Sequence, residues 1–141
     1  MPQIKHIAIA TQDAEATAKF YSDVFGLREV AKLDSENAKG YMLSDGNVNM
    51  AILDFQTDAV AGERGKDWSG IHHIGFEVEN LEDIEKRLLE ASSSPMDEVN
   101  KALHAGMAGP RHANVETKYQ GPNGEMIDVS QTGWVGTRGL D

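Results

Sequence analysis

Two histidines, His6 and His73, recur at matched places in two similar stretches, His6-Ile7-Ala8-Ile9 and His73-Ile74-Gly75-Phe76. Either imidazole alone reads as a packed or surface residue. A pair at equivalent positions of an internal repeat reads as a pair of metal ligands, because a repeat related by pseudo-twofold symmetry brings equivalent residues face to face. Two neutral imidazoles around a divalent ion want at least one anion to offset its charge. Asp128 supplies it. In Met126-Ile127-Asp128-Val129-Ser130 the flanking Ile127 and Val129 belong to one strand face and Asp128 to the other. A lone carboxylate within an apolar strand is costly to bury without a compensating partner. The alternative for Asp128 is an edge-strand residue facing water.

Acid–base candidates follow from the same alternation. Glu77 lies two steps of alternation beyond His73 on its strand, so it shares that histidine's face. Glu116 and Lys118 alternate against Val115, Thr117 and Tyr119, which turns both inward or leaves them on a solvated strand face. A carboxylate near a metal can act as the base that removes a proton next to a carbonyl, a role assigned to Glu77 and Glu116. His72 points away from His73 and reads as structural. His104 and His112 fall in a glycine-rich stretch, as surface residues or as contacts to an anionic substrate.

These side chains need strands to hold them. Residues 3–10 alternate like a strand, with Ile7 and Ile9 on one face and His6, Ala8 and Ala10 on the other. Asp13 or Thr11 caps a helix from Ala14 to Phe25, and Gly26 stops it. Leu27 to Leu33 reads as a strand, and Tyr41 to Leu43 with Val48 to Leu53 as a hairpin turned at Asp45-Gly46. After a polar, glycine-bearing connection the pattern restarts at Ile71. Asn80 caps a helix striped by Leu81, Ile84, Leu88 and Leu89, and Val115 to Tyr119 pairs with Met126 to Val129. The expected architecture is α+β. Two βαβββ modules, residues 3–55 and 71–131, form one cupped, mixed β-sheet with helices on the convex face, in a single domain spanning 1–141. Residues 95–113 read as an irregular strand plus a long loop. The tail 132–141 carries Trp134 among glycines, which suggests docking over the cleft or on a partner subunit, and Trp68 reads as another anchor.

Composition narrows the function. The chain has 141 residues, no cysteine and a formal net charge of −10. Thiol catalysis, disulfides and zinc ribbons are excluded. The acidic balance argues against nucleic acid, whose phosphates it would repel. No apolar run is long enough for a transmembrane helix, and the expected compartment is the cytoplasm.

The stretches His6-Ile7-Ala8-Ile9-Ala10, Lys19-Phe20-Tyr21 through Phe25-Gly26-Leu27, His73-Ile74-Gly75-Phe76-Glu77-Val78 and Gly121-Pro122-Asn123-Gly124 leading to Ile127-Asp128 resemble the vicinal-oxygen-chelate superfamily. That superfamily includes glyoxalases, methylmalonyl-CoA epimerases, extradiol dioxygenases and fosfomycin or bleomycin resistance proteins. The resemblance implies paired βαβββ modules, a homodimer, a small oxygen-rich organic substrate and one divalent metal ion (Fe, Mn, Ni, Co or Zn). It places His6, His73 and Asp128 on ligand positions, with Asp where the family usually has Glu. For a fourth position the facing strand offers Asn49, which can coordinate through its amide oxygen, or Ala51, which cannot. Three readings follow: a metal-dependent lyase or isomerase that stabilises an enolate, an Fe(II) extradiol-type dioxygenase, and a metal-free drug-binding protein.

Overall fold

The computed structural model describes residues 1–104 and 116–140. The elements run β1 (Gln3–Ala10), α1 (Ala14–Phe25), β2 (Arg28–Asp34), β3 (Ala38–Ser44), β4 (Asn49–Phe55), β5 (Gly70–Glu77), α2 (Leu81–Glu90), α3 (Asp97–His104), β6 (Thr117–Gln120) and β7 (Met126–Ser130). Among the described residues no helix is long and apolar enough to cross a membrane.

Both expected caps form. Asp13 accepts from the backbone N–H of Ala16 at 3.0 Å, and Asn80 from that of Asp83 at 3.1 Å. Each satisfies a donor that the helix itself leaves unpaired. Gly26 ends α1 in the left-handed conformation, φ 74°, which costs glycine little.

All seven strands join one mixed sheet in the order β2-β3-β4-β1-β5-β7-β6. The seam between halves is the antiparallel pair β1–β5. On each side of it the next strand runs parallel, β4 beside β1 and β7 beside β5. The repeat is therefore real at its centre, and the two histidine strands lie side by side. It is unequal at its rim. Where an irregular strand and loop were expected after Pro95, the chain makes only a one-residue bridge, Pro95 to Tyr119, and then enters α3. Val99, Ala102 and Leu103 recur at helical spacing there, and burying that apolar stripe favours a helix. His104 accordingly closes α3 rather than sitting in a loop. The remainder of that loop, including His112, lies outside the described residues.

The two sheet faces pack differently. On the outer face, Ala18 of α1 joins Leu43 and Ile52, with Ile9, Tyr21, Leu27 and Met50 around them. On the inner face, Ala8, Ala10, Ala51, Leu53 and Phe55 pack with Val60 and Ala61, and Ala102 and Leu103 of α3 close over them. The helices are thus not all on the convex side: α1 backs the sheet, and α3 covers part of the cup.

Candidate metal centre

Strand register lines up the site. Reading across the sheet, Asn49 pairs with His6, His6 with Gly75, Gly75 with Asp128, and Asp128 with Lys118. Cross-strand partners project to the same face, so this row carries four polar side chains and one glycine into the cup. His73 stands on the same face, two residues before Gly75. Gly75 is the gap that lets its neighbours converge. A Cβ there would lie 2.7 Å from Cη2 of Trp134 and 2.8 Å from Cβ of His6.

His6, His73 and Asp128 converge into a group able to hold a metal ion, with one ligand atom from each within 4.8 Å of the others. Nε2 of His73 is 3.0 Å from Oδ2 of Asp128, Nε2 of His6 is 3.6 Å from the same oxygen, and the two Nε2 atoms are 3.2 Å apart. All three residues are buried, Asp128 completely.

Their hydrogen-bond partners determine where the protons sit. Asn49 donates through Nδ2 to the carbonyl of Val135 at 3.0 Å, so its Oδ1 faces Nδ1 of His6, 2.8 Å away. An amide oxygen only accepts, so the His6 proton is on Nδ1. His72 must donate through Nε2 to the carbonyl of Ala61, at 2.7 Å. Its Nδ1 is then bare when neutral and accepts from Nδ1 of His73, also at 2.7 Å. Both ligand-type nitrogens, Nε2 of His6 and of His73, are left as lone pairs. Burial, the largest influence on each, pushes both imidazoles below their ordinary pKa of 6.5, His73 well below. For His73 the charge of Lys118 acts in the same direction, whereas Glu116 and Asp128 partly oppose the shift of His6.

Two bare nitrogens and a carboxylate oxygen without a hydrogen-bond partner thus face one another. Lone pairs packed this closely repel, and a cation among them removes the conflict. A second ring nitrogen held by an amide, a carbonyl or another imidazole is the usual way a metal-bound histidine is oriented. The residues present fit a divalent ion.

The other expected residues take different places. Asn49 stands behind His6, with its Oδ1 at the nitrogen remote from Asp128. Ala51 offers no donor atom and packs in the inner core. Glu77 shares the inner face but not the site. Gly133 of the tail lies against its carboxylate, where a Cβ would meet Oε1, and Oε2 of Glu77 accepts from Arg138 at 2.9 Å. His72 is structural in the wider sense that it orients His73. Nε2 of His104 donates to the carbonyl of Glu116 at 2.9 Å.

Glu116 and Lys118 do enter the cleft. The Lys118 ammonium lies against Oδ1 of Asp128 and 3.1 Å from Oε2 of Glu116. Burial pulls its pKa down, yet the charges of Asp128 and Glu116 outweigh that, and the net shift is upward. Asn100 of α3 fixes the strand here, accepting from the Lys118 N–H at 2.7 Å and donating to its carbonyl at 3.0 Å. The tail completes the wall. Trp134 stacks on His6 with ring centroids 4.6 Å apart and planes at 3°, and its indole N–H donates to Oε1 of Glu116. Of the two tail placements expected from sequence, the one over the cleft forms. Trp68 packs within the chain under Arg64, whose guanidinium is 4.2 Å from the ring centroid.

The group opens into a cavity of about 560 Å³, a size suited to a small organic ligand. His6, His73, Glu116 and Lys118 form its polar end, and residues such as Leu33, Met42, Leu53, Phe55 and Leu103 its apolar walls.

Known proteins resemble this chain in sequence and share its fold. The mitochondrial methylmalonyl-CoA epimerase of Homo sapiens is 29% identical over 111 residues, 72% of this chain and 61% of that protein. The chain therefore aligns with less than two-thirds of that relative's length. A variant of the Streptomyces coelicolor methylmalonyl-CoA epimerase, in complex with 2-nitronate-propionyl-CoA, superposes with a TM-score of 0.67 at 17% identity, covering 92% of this chain and 96% of that one. The Mycobacterium tuberculosis enzyme of the same name gives 0.63 at 16% identity, covering 91% and 86%. The family model matches residues 3–129, so the histidine strands, the Asp128 strand and the sheet joining them all fall within it: the chain belongs to the glyoxalase/bleomycin resistance protein/dioxygenase superfamily.

Proposed function

We propose that this chain is a divalent-metal-dependent isomerase or lyase, acting on a small oxygen-rich substrate by moving a proton next to a carbonyl. The observation that carries the reading is the convergence of two bare Nε2 atoms and the unpartnered Oδ2 of Asp128 beside a cavity that His6 and His73 line. His6, His73 and Asp128 would hold the ion, one of Fe, Mn, Ni, Co or Zn. When bound, such an ion polarises a substrate oxygen and stabilises the negative charge that develops there on loss of a proton.

The chain's own residues supply the rest. Asn49 and His72 orient the two imidazoles. The apolar walls exclude water and seat the substrate body. Glu116 is the proton carrier: it lines the cavity, and the N–H groups of Trp134 and Lys118 hold its carboxylate in place. The epimerase relatives support this reaction type, and methylmalonyl-CoA is the first substrate to try. A homodimer, as the family resemblance implies, is checked by light scattering.

The test combines metal content with isotope exchange. Chain purified without oxygen should carry close to one transition metal per chain, and His73→Ala should carry none. The loaded protein should exchange substrate hydrogen with deuterated water in the absence of O₂. Asn49 standing behind His6 leaves a two-histidine, one-carboxylate face, and this favours one alternative, an Fe(II) oxygenase. Strict O₂ dependence with Fe(II) would replace the first reading by that one. Absence of metal even after reconstitution would leave a binding protein.

A further inference from the structure

A buried lysine within a metal-binding group is unusual chemistry, since its charge opposes the ion's. Lys118 is only 4% exposed, sits across from Asp128 in the strand register and is anchored at both backbone polar groups by Asn100. An ammonium has three N–H donors. Asp128 and Glu116 engage it from two sides, and Lys118 also lines the cavity beside His6 and His73. Among the described residues nothing else takes its remaining donor.

Charge points the same way. With both imidazoles neutral, two carboxylates against one ammonium leave the site with one negative charge. A divalent ion reverses this to one positive charge, buried at the end of a cavity whose lining elsewhere is apolar save for Ser35, Asn37 and the exposed Glu36. Such a charge calls for a single compensating anion, because an unpaired charge in a low-dielectric site is costly.

We propose that Lys118 is a specificity-determining residue that binds one oxygen of a substrate carboxylate while a neighbouring oxygen of that substrate faces the His6–His73–Asp128 group. The substrate class is a carboxylic acid with a second oxygen on the adjacent or next carbon. This deepens the proposed function and rests on it. The ammonium takes the part that a further protein ligand would otherwise play: it fixes the substrate's orientation from the side, through a point charge rather than a coordination bond.

The probes are mandelate and mandelamide, which share shape and neighbouring oxygens and differ in charge. Each is titrated into the Co²⁺-loaded full chain and followed by calorimetry and by the visible Co²⁺ absorption. Wild type should bind mandelate at least about ten-fold tighter than mandelamide, a difference of roughly 1.4 kcal/mol. Lys118→Gln, which keeps hydrogen-bond donors toward Asp128 and Glu116, should bind Co²⁺ yet lose at least about ten-fold of that preference. Lys118→Arg should retain most of it. If Lys118→Gln fails to fold, the ¹⁵N signal of the Lys118 ammonium in wild type decides: it should shift with mandelate and not with mandelamide. An unchanged preference in Lys118→Gln, an unmoved lysine signal, or wild type that takes up Co²⁺ but binds neither probe would overturn the assignment and leave the metal reading standing. Wild type that takes up no Co²⁺ would overturn both.

Discussion

Trp134 lies flat on His6, rings parallel within 3°, although 128 positions of sequence separate them. The tail that carries Trp134 also presents the Val135 carbonyl to Asn49, which in turn holds Nδ1 of His6. One short segment thus fixes a histidine from its face and, through an amide, from its edge. Ser44 donating to the Gly136 carbonyl at 2.7 Å and Thr137 donating to the Trp134 carbonyl at 2.8 Å hold that segment in place. Trp134→Ala should weaken Co²⁺ or Zn²⁺ binding by about ten-fold, the low end for loss of a ligand-orienting contact. It should also cost about 3–5 kcal/mol of stability, as for a buried aromatic. Metal competition titrations and urea melts read the two effects separately. Unchanged metal affinity would reduce the tail to a packing element.

Gly75 gives a sharper test, because its role is purely spatial. The methyl group of Gly75→Ala would collide with Trp134 and with the Cβ of His6. Neither can yield without tilting the His6 ring. The substitution should lower metal affinity by ten-fold or more on the same ligand-orienting grounds while leaving the outer-face core intact. In a Trp68→Phe background, Trp134 fluorescence should report the displacement directly. An alanine accommodated with normal metal affinity and unshifted emission would show that the row across β1, β5 and β7 is not tightly packed.

Asn49 separates a ligand from an orienting partner. Asn49→Asp keeps an acceptor at Nδ1 of His6 but loses the donor to Val135, whereas Asn49→Leu loses both. If Asn49 acts by holding His6, Asn49→Leu should reduce metal affinity about 10–100-fold and Asn49→Asp should retain most of it. The ligand field of bound Co²⁺ should not change type in either variant. A changed coordination number in the spectrum would mean that the amide oxygen does reach the ion.

Protonation supplies a stability signature in the presence of a chelator. Burial holds His6, His72 and His73 below the ordinary value of 6.5 in the folded chain. In the unfolded chain they titrate near that value. Below it the unfolded state therefore binds protons that the folded state refuses, and stability rises with pH through this window. It should be fully present above pH 6.5 and decline progressively as pH falls toward the depressed folded-state values. Lys118 behaves in the opposite sense. Its folded-state pKa lies above 10.5, so its contribution is present below that pH and is lost as pH rises through the raised value. Urea melts from pH 5 to 8 on wild type and on His73→Gln should show a shallower slope in the variant. Equal slopes would mean that His73 is not held neutral by burial.

Much of this site was legible in the residues alone. His6 and His73 recur in matched motifs, strand alternation puts each opposite a row of isoleucines, and Asp128 stands alone in an apolar strand. A period of two and an internal repeat are local patterns, and they were enough to name the three converging side chains and to place the α1 and α2 caps at Asp13 and Asn80. What alternation cannot supply is the order and register of strands. Only the assembled sheet puts Asn49, His6, Gly75, Asp128 and Lys118 in one row, with Asn49 at the back of an imidazole and Lys118 on the carboxylate. Glu77 shows the same limit from the other side: its parity was right, but the tail and Arg138 cover it. The sequence over α3 reads as an irregular strand and loop because its short apolar stripe lies between glycine- and proline-bearing segments, and it is burial of Val99, Ala102 and Leu103 that favours the helix. Trp134 was visible as an anchor without an address. The sequence by itself determined which residue types meet and on which face of each strand. The tertiary structure decided which nitrogen of each histidine carries its proton, because that depends on single hydrogen bonds to the acceptors of Asn49, His72 and Ala61, partners that the sheet and its connections bring in from distant parts of the chain or orient at close range.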